Sequence, residues 1–144
     1  MVISMTAEFS LAVHGLVYLE HTGRVTTSEE LAKNICTNPA RVRKVMSKLR
    51  QAKLVDSLEG KGHGYLAGEQ VREITLEQVL DALQEKVVTA GWHSGNVDMD
   101  CLITSGMGAV MDRIFGEMNG NCKTYLSQIT IGSIHDEIFR TTRS

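Results

Sequence analysis

Residues 26–65 read TTSEELAKNICTNPARVRKVMSKLRQAKLVDSLEGKGHGY. Thr27 is followed three residues later by Glu30, the spacing of a capping box, so a helix is expected to start there. Leu31, Ala32 and Ile35 give it a short apolar face, and Cys36-Thr37 reads as a turn. Asn38 is a good N-cap, and Pro39 falls at the first helical position, where its missing N–H costs nothing. Val42, Val45, Met46 and Leu49 then recur at i, i+3, i+4 and i+7, the stripe of a buried helix face. At about 100° per residue, the opposite face carries Ala40, Arg43, Lys44, Ser47 and Gln51, flanked by Arg41 and Lys48. Small residues beside long cations suit a helix in a DNA major groove, where Arg and Lys reach phosphates or guanine edges.

After this helix, Val55–Leu58 and Tyr65-Leu66 read as two strands. Between them Gly60, Gly62 and Gly64 exclude a helix and predict a hairpin tip, with Lys61 and His63 as donors and glycines that admit a sugar-phosphate backbone. Two short helices, the second basic, followed by a glycine hairpin make a winged helix-turn-helix. The expected fold is mainly α with a small β-wing. Solvated basic faces also occur on ordinary helices, but here caps, stripe and hairpin come in the right order.

Working outward toward the start, Glu8–His21 predicts a first helix with Phe9, Val13, Leu16 and Leu19 or Tyr18 on its buried side. His14 and His21 read as structural or surface histidines. Arg24-Val25 is expected to form a short strand pairing with the wing. Toward the end, 68–74 reads as a linker. Thr75 and Gln78 cap a helix over 76–84 whose stripe is Leu76, Val79, Leu80 and Leu83. Residues 87–100 are irregular and hold the lone Trp92, either a chain crossing, which we favour, or an effector pocket.

From Cys101 to about Ile129 apolar residues recur at threes and fours: Ile103, Met107, Val110, Met111, Ile114, Phe115, Met118, Cys122, Tyr125, Leu126 and Ile129. This stripe is longer than a small winged domain needs to bury. An exposed apolar face disfavours a monomer, so the same helix of a second copy is the expected partner. The competing reading is a core helix of one domain. Glycines 106, 108, 116 and 120 lower helix propensity by about 1 kcal/mol each relative to Ala, and Gly120 between two asparagines could split the helix. A short amphipathic helix over 130–139 is expected to pack back on the dimer or on its own winged domain, with a frayed tail from Arg140. The division is thus 1–84, a DNA-binding winged domain, and 85–144, a dimerisation and signal-sensing region.

Charge agrees. The chain carries −2 overall, but Asn38–Gly64 holds seven Lys/Arg against two acids, a local +5. The remainder holds eight against fifteen, or −7, so a basic module sits on an acidic body. The 42% hydrophobic content over 144 residues supports a real core. Met1–Met5 lacks a charged start and a long apolar run, no stretch reaches the roughly 18 apolar residues of a membrane span, and three cysteines fit a reducing compartment. A cytoplasmic protein with no membrane partner is expected.

The segments EFSLAVHGLVYL (8–19), SEELAKNICTNPARVRKVMSKLRQAKLV (28–55), GKGHGYLA (60–67), ITLEQVLDAL (74–83), the lone Cys101 before the long helix, and TIGSIHDEIF (130–139) resemble the Rrf-two family of winged helix-turn-helix regulators. The resemblance covers nearly the whole chain. Its wing departs from the family in having His63 among the glycines. The resemblance implies a homodimer, paired through the long helix, that binds a double-stranded operator, most simply as a repressor. The contacts would come from Asn38, Arg41, Arg43, Lys44, Ser47 and Lys48 on the helix, Lys61 and His63 on the wing, and Thr27 and Ser28 on phosphates. Family members hold an iron–sulfur cluster on three cysteines just before the long helix. Only Cys101 stands there, matching the last of the three, so no cluster is expected. No zinc spacing is present either, and no cofactor is expected.

In such a dimer the start of one long helix can lie near the other copy's winged domain. A Cys36–Cys101 bridge could then act as a thiol switch on recognition-helix spacing. Cys36, preceding a helix near Arg41 and Arg43, is expected to have a lowered pKa. The alternative is that these cysteines are small buried hydrophobes, as Cys122 on the stripe is expected to be. Without a switch, a small-molecule or partner effector remains. No catalytic constellation is found. A winged module that binds protein rather than DNA is the other rival, disfavoured by the local +5.

Overall fold

A computed structural model describes residues 2–3, 7–58 and 63–141. Its elements in chain order are strand β1 (Val2–Ile3), helices α1 (Ala7–Thr22), α2 (Ser28–Ile35) and α3 (Pro39–Gln51), and strands β2 (Asp56–Leu58) and β3 (Gly64–Leu66). Helix α4 (Leu76–Leu83), strand β4 (Val88–Thr89) and helices α5 (Leu102–Leu126) and α6 (Ile131–Thr141) follow. The architecture is a mainly helical winged helix-turn-helix with a long C-terminal helix.

The helices start where their caps predict. Thr27 Oγ1 accepts the Glu30 N–H at 3.1 Å, Asn38 Oδ1 accepts the Arg41 N–H at 2.9 Å, and Pro39 opens α3. Thr75 and Gln78 close a full capping box on α4. The box on α2 stays half-made. Glu30 does not reach back to Thr27; its carboxylate instead takes Arg24 at 2.7 Å and the Tyr18 hydroxyl at 2.7 Å. A charged guanidinium competes better for that carboxylate than a backbone N–H.

Apolar stripes from α1, α3 and α4 meet in one core. Leu16, Leu19, Leu31, Val42, Val45, Met46, Leu49, Val79, Leu80 and Ile131 are fully buried. Each such side chain is worth about 1.5–3 kcal/mol, against about 0–1 for a surface ion pair, so this core dominates the stability. Helix α1 lies at its centre and buries Leu11 and Ala12 as well, while Val13 is only half-buried. The one-face template fails because α1 packs against several elements at once, among them α3, α4 and α6. Residues 68–74 are not a solvent linker, since Val71 and Ile74 are buried in the core around a 3-10 turn at Val71–Glu73.

The wing is an antiparallel pair in the register Asp56↔Leu66, Ser57↔Tyr65 and Leu58↔Gly64. Its third partner is a single bridge at Thr26, not a strand at Arg24-Val25. Thr26 N–H donates to Tyr65 O at 2.9 Å, and Tyr65 N–H donates to Thr26 O at 2.8 Å. Gly64 makes this approach possible. Its φ is +149°, and a Cβ there would stand 2.5 Å from Thr26 O. This glycine serves the chain's own backbone.

β1 pairs with β4, which sequence periodicity did not anticipate because each strand has two residues. Asn119 of α5 holds β4 from the side. Its Oδ1 accepts Val88 N–H, and its Nδ2 donates to Val88 O, both at 2.8 Å. α5 runs unbroken through Gly116–Asn121, with Cys101 as its N-cap and Ile129 beyond its end. α6 returns to pack on α1 of its own winged domain, and it includes Arg140. Residues 142–144 lie outside the described residues.

Gly64→Ala is expected to destabilise the fold by about 1–3 kcal/mol, from the positive φ and the clash together. Gly68→Ala, in open space, should leave the urea midpoint unchanged. Arg24 foremost, then Tyr18, holds the Glu30 carboxyl below its ordinary 4.5. The pairing therefore stabilises the fold above that pH and is lost as pH falls through the lowered value. Glu30→Gln should lower the urea midpoint slightly at pH 7, and the difference from wild type should vanish in denaturation curves at pH values below that range.

Candidate nucleic-acid interface

Helix α3 is held by its buried stripe, so its other face has a fixed direction. Ala40, Arg43, Lys44, Arg50 and Gln51 are exposed and Ser47 is half-buried. On one flank α3 and the wing enclose a cleft of about 400 Å³, where Arg43, Ser47 and Arg50 face Ser57, His63 and Tyr65. Burial pushes the Tyr65 hydroxyl above its ordinary value, so it stays a neutral donor. Guanidinium and hydroxyl donors converging on an open cleft can take phosphate oxygens through charge-assisted hydrogen bonds.

Eight of the ten residues singled out from sequence fall into three groups. Arg43, Ser47 and His63 come together in the cleft. Arg43 Nη1 already donates to Ser28 Oγ at 3.3 Å and lies 3.8 Å from Glu29. Lys44 and Lys48 stand on the opposite flank of α3, and both reach Glu8 of α1 at 3.1 Å. Thr27, Ser28 and Asn38 have structural work. Thr27 and Asn38 cap helices through their side-chain oxygens, and Ser28 is only 6% exposed. Arg41 is exposed in the first turn of α3. Lys61 lies outside the described residues.

Arg50, Ser57 and Tyr65 were not singled out from the sequence. The signal for Arg50 was present, since it stands three and seven residues after Ser47 and Arg43 and so shares their side of the helix. Tyr65 read only as a strand residue, and its place in the cleft follows from the hairpin register.

The cysteines stand apart by element. Cys36 is exposed at the C-cap of α2 in a left-handed conformation (φ +67°). Its sulfur points at the carbonyl oxygens of Lys33 and Asn34, 3.8 and 4.0 Å away, the negative end of α2 rather than the start of α3. Cys101 is the exposed N-cap of α5, and the N–H groups of Thr104 and then Ile103 hold its thiol below the ordinary 9.0. The helix N-terminus that the sequence reading assigned to Cys36 acts at Cys101. Cys122 is half-buried and packs against the core.

Comparison with known proteins agrees with this architecture. A family model described as Rrf2, iron-dependent transcriptional regulator, matches residues 5–137. The HTH-type transcriptional regulator IscR of Photobacterium profundum is 29% identical over 90 residues, 62% of this chain and 49% of that protein. The match thus spans about half the length of this curated relative. A solved Lactobacillus plantarum structure aligns with a TM-score of 0.79 at 21% identity, covering 91% of this chain and 89% of that one. The structure of CymR (YrzC), the global cysteine regulator of B. subtilis, aligns with a TM-score of 0.68 at 15% identity, covering 94% and 98%. At these identities the structural likeness shows the fold.

The donors present do not fit the iron of the family's description. Cys101 and Cys122 lie about 30 Å apart along α5 at 1.5 Å per residue, and among the described residues no three His, Cys, Asp or Glu side chains converge on a point. The match over residues 5–137, together with a recognition helix and wing in the order the family requires, places the protein: the chain belongs to the Rrf2 family of transcriptional regulators.

Proposed function

We propose that a homodimer of this cytoplasmic protein binds a near-palindromic operator, one α3 in the major groove of each half-site, and represses transcription. The observation that carries this reading is the exposed cationic face of α3 beside the wing cleft. Arg43, Arg50, Ser47, Tyr65 and His63 supply the contacts on the cleft side, and Lys61 is a further donor expected from the sequence. Arg41 adds to them on the other side, where Lys44 and Lys48 also face the duplex with Glu8 as their counterion. Thr27, Ser28 and Asn38 act near phosphates mainly by fixing the starts of α2 and α3. Residues 1–84 serve as the DNA-binding module and 85–144 as the pairing and sensing region.

The long helix supports pairing. Leu102, Ile103, Met107, Val110 and Tyr125 are exposed along α5, and only Leu126 of that helix is buried. A second copy is the natural cover for such a face. Oxidant control is favoured by Cys101, whose thiol is exposed and held toward the thiolate. A peroxide would take two electrons from Cys101 of one copy to give a sulfenic acid and water. The Cys36 thiol of the other copy then displaces a second water to form the disulfide, which a dithiol reverses. Trp92, 77% exposed, lies in the chain crossing, where a metabolite or protein effector would act if the cysteines do not.

In fluorescence anisotropy on DNA from upstream of its own gene, Arg43→Ala should cost about 1–3 kcal/mol in a sequence-dependent way if Arg43 reads a base. A uniform loss across sequences would make it a phosphate contact, and salt-insensitive or absent binding would restore the protein-interaction module. A reporter on that DNA should rise when the protein is removed. Sedimentation of the reduced protein should show a dimer that Ile103→Asp with Val110→Asp splits. After mild peroxide treatment a covalent dimer should appear on non-reducing gels and DNA binding should fall until dithiothreitol is added; persistence of both effects in Cys36→Ser would sink the switch.

A further inference from the structure

Lys44 and Lys48 lie one turn apart on the DNA-facing side of α3; Lys44 is 66% exposed and Lys48 half-buried, and one carboxylate holds both. Glu8, in the first turn of α1, gives one carboxylate oxygen to each, both at 3.1 Å. Its side chain is 20% exposed and that of Lys48 is 35% exposed, so the contact is partly screened from solvent. Lys48 and then Lys44 hold the Glu8 carboxyl below its ordinary value, which keeps it charged at neutral pH. The two flanks of α3 therefore differ. Arg43 and Arg50 line an open cleft where the carboxylate that Arg43 meets is the solvent-exposed Glu29, at 3.8 Å, while the half-buried Glu8 lies 3.1 Å from both lysines.

We infer that Glu8 is a specificity-determining residue of the DNA interface, one that occupies Lys44 and Lys48 and so withholds positive charge from backbone binding. The inference rests on the DNA-binding reading above. Non-specific affinity comes almost wholly from phosphate electrostatics, whereas base contacts on the centre and cleft side of α3 add to it only at the right sequence. At the right sequence the base contacts fix α3 in one register, with its cleft side on the backbone. On other duplexes the helix is free to turn its lysine flank to the phosphates, so a fixed acid on that flank weakens non-specific binding more than specific binding. Discrimination is a ratio of affinities, and Glu8 raises it by lowering the denominator. The sequence hid this because Glu8 lies 36 and 40 residues before the lysines it holds.

The test compares the full-length protein with Glu8→Gln on two duplexes, one enriched by the protein from a randomised pool and one scrambled, across a salt series. Glu8→Gln is expected to bind the scrambled duplex roughly five- to tenfold more tightly near 0.1 M salt, with a log–log salt slope steeper by about 0.9. The enriched duplex should gain less, so the ratio falls. Adding Lys44→Gln and Lys48→Gln should remove the gain, and Glu8→Asp, which keeps the charge, should keep the wild-type ratio. If Glu8→Gln melts early, Glu8→Ala is measured in its place. Unchanged binding to the scrambled duplex, or equal gains on both duplexes, overturns the inference while the DNA-binding reading stands. Failure of both proteins to bind or enrich any duplex overturns that reading and the inference together.

Discussion

The close approach of α1 and α3 sets the direction of everything functional in the molecule. Gly15 faces Met46, and a Cβ at Gly15 would run into the Met46 Cε. That methyl ends a flexible side chain, so the seal comes from the apolar stripe of α3 itself, with Val42, Val45, Met46 and Leu49 between 0 and 1% exposed. With that side sealed, the opposite face of α3 has only one way to point. The Thr26–Tyr65 bridge then brings the wing to the same side. A recognition helix loosely packed on α1 would have no fixed relation to the wing, and the cleft between them would not exist.

Much of this was legible in the residues. The caps at Thr27, Asn38 and Thr75 and the stripes of α3 and α4 are local signals, set by helix geometry within a few residues. They translate directly into elements. The glycine-interrupted hairpin was legible for the same reason. What was not legible depends on residues far apart in sequence. Glu30 has a spacing that predicts a capping box, but Arg24 and Tyr18, delivered by the fold, win its carboxylate. The pairing of β1 with β4 joins residues more than 80 positions apart in strands too short to show a period. Val71 and Ile74 look like linker residues because their stretch is polar on average, and only the surrounding helices bury them.

The site divides in the same way. Arg43 and Ser47 follow from the helix wheel alone. Arg50 follows from the same wheel but reads in sequence only as charge, and Tyr65 needs the hairpin register. The cysteines show the limit of reading neighbours in sequence. Cys36 is followed by a basic helix, yet its left-handed turn aims the sulfur at the carbonyl end of α2. Cys101, with no cation nearby in sequence, sits on free N–H groups at the start of α5. Helix termini act on what their backbone dipoles touch, and backbone direction at a turn is a property of φ rather than of composition.

The exposed face of α5 sets a physical scale for the proposed pairing. Association costs on the order of 4–15 kcal/mol in lost rotational and translational freedom. Leu102, Ile103, Met107 and Val110 are each worth up to about 1.5–3 kcal/mol on full burial, and a symmetric pair brings each of them twice. Eight such side chains, even partly covered, match or exceed that cost, whereas the ion pairs exposed along the same helix, such as Arg113–Glu117, are worth about 0–1 kcal/mol each. Apolar burial, not charge, would therefore hold the two copies together. That leaves the charged groups of the winged domain free to be arranged for the nucleic acid, with the open arginine flank and the Glu8-held lysine flank on either side of one recognition helix.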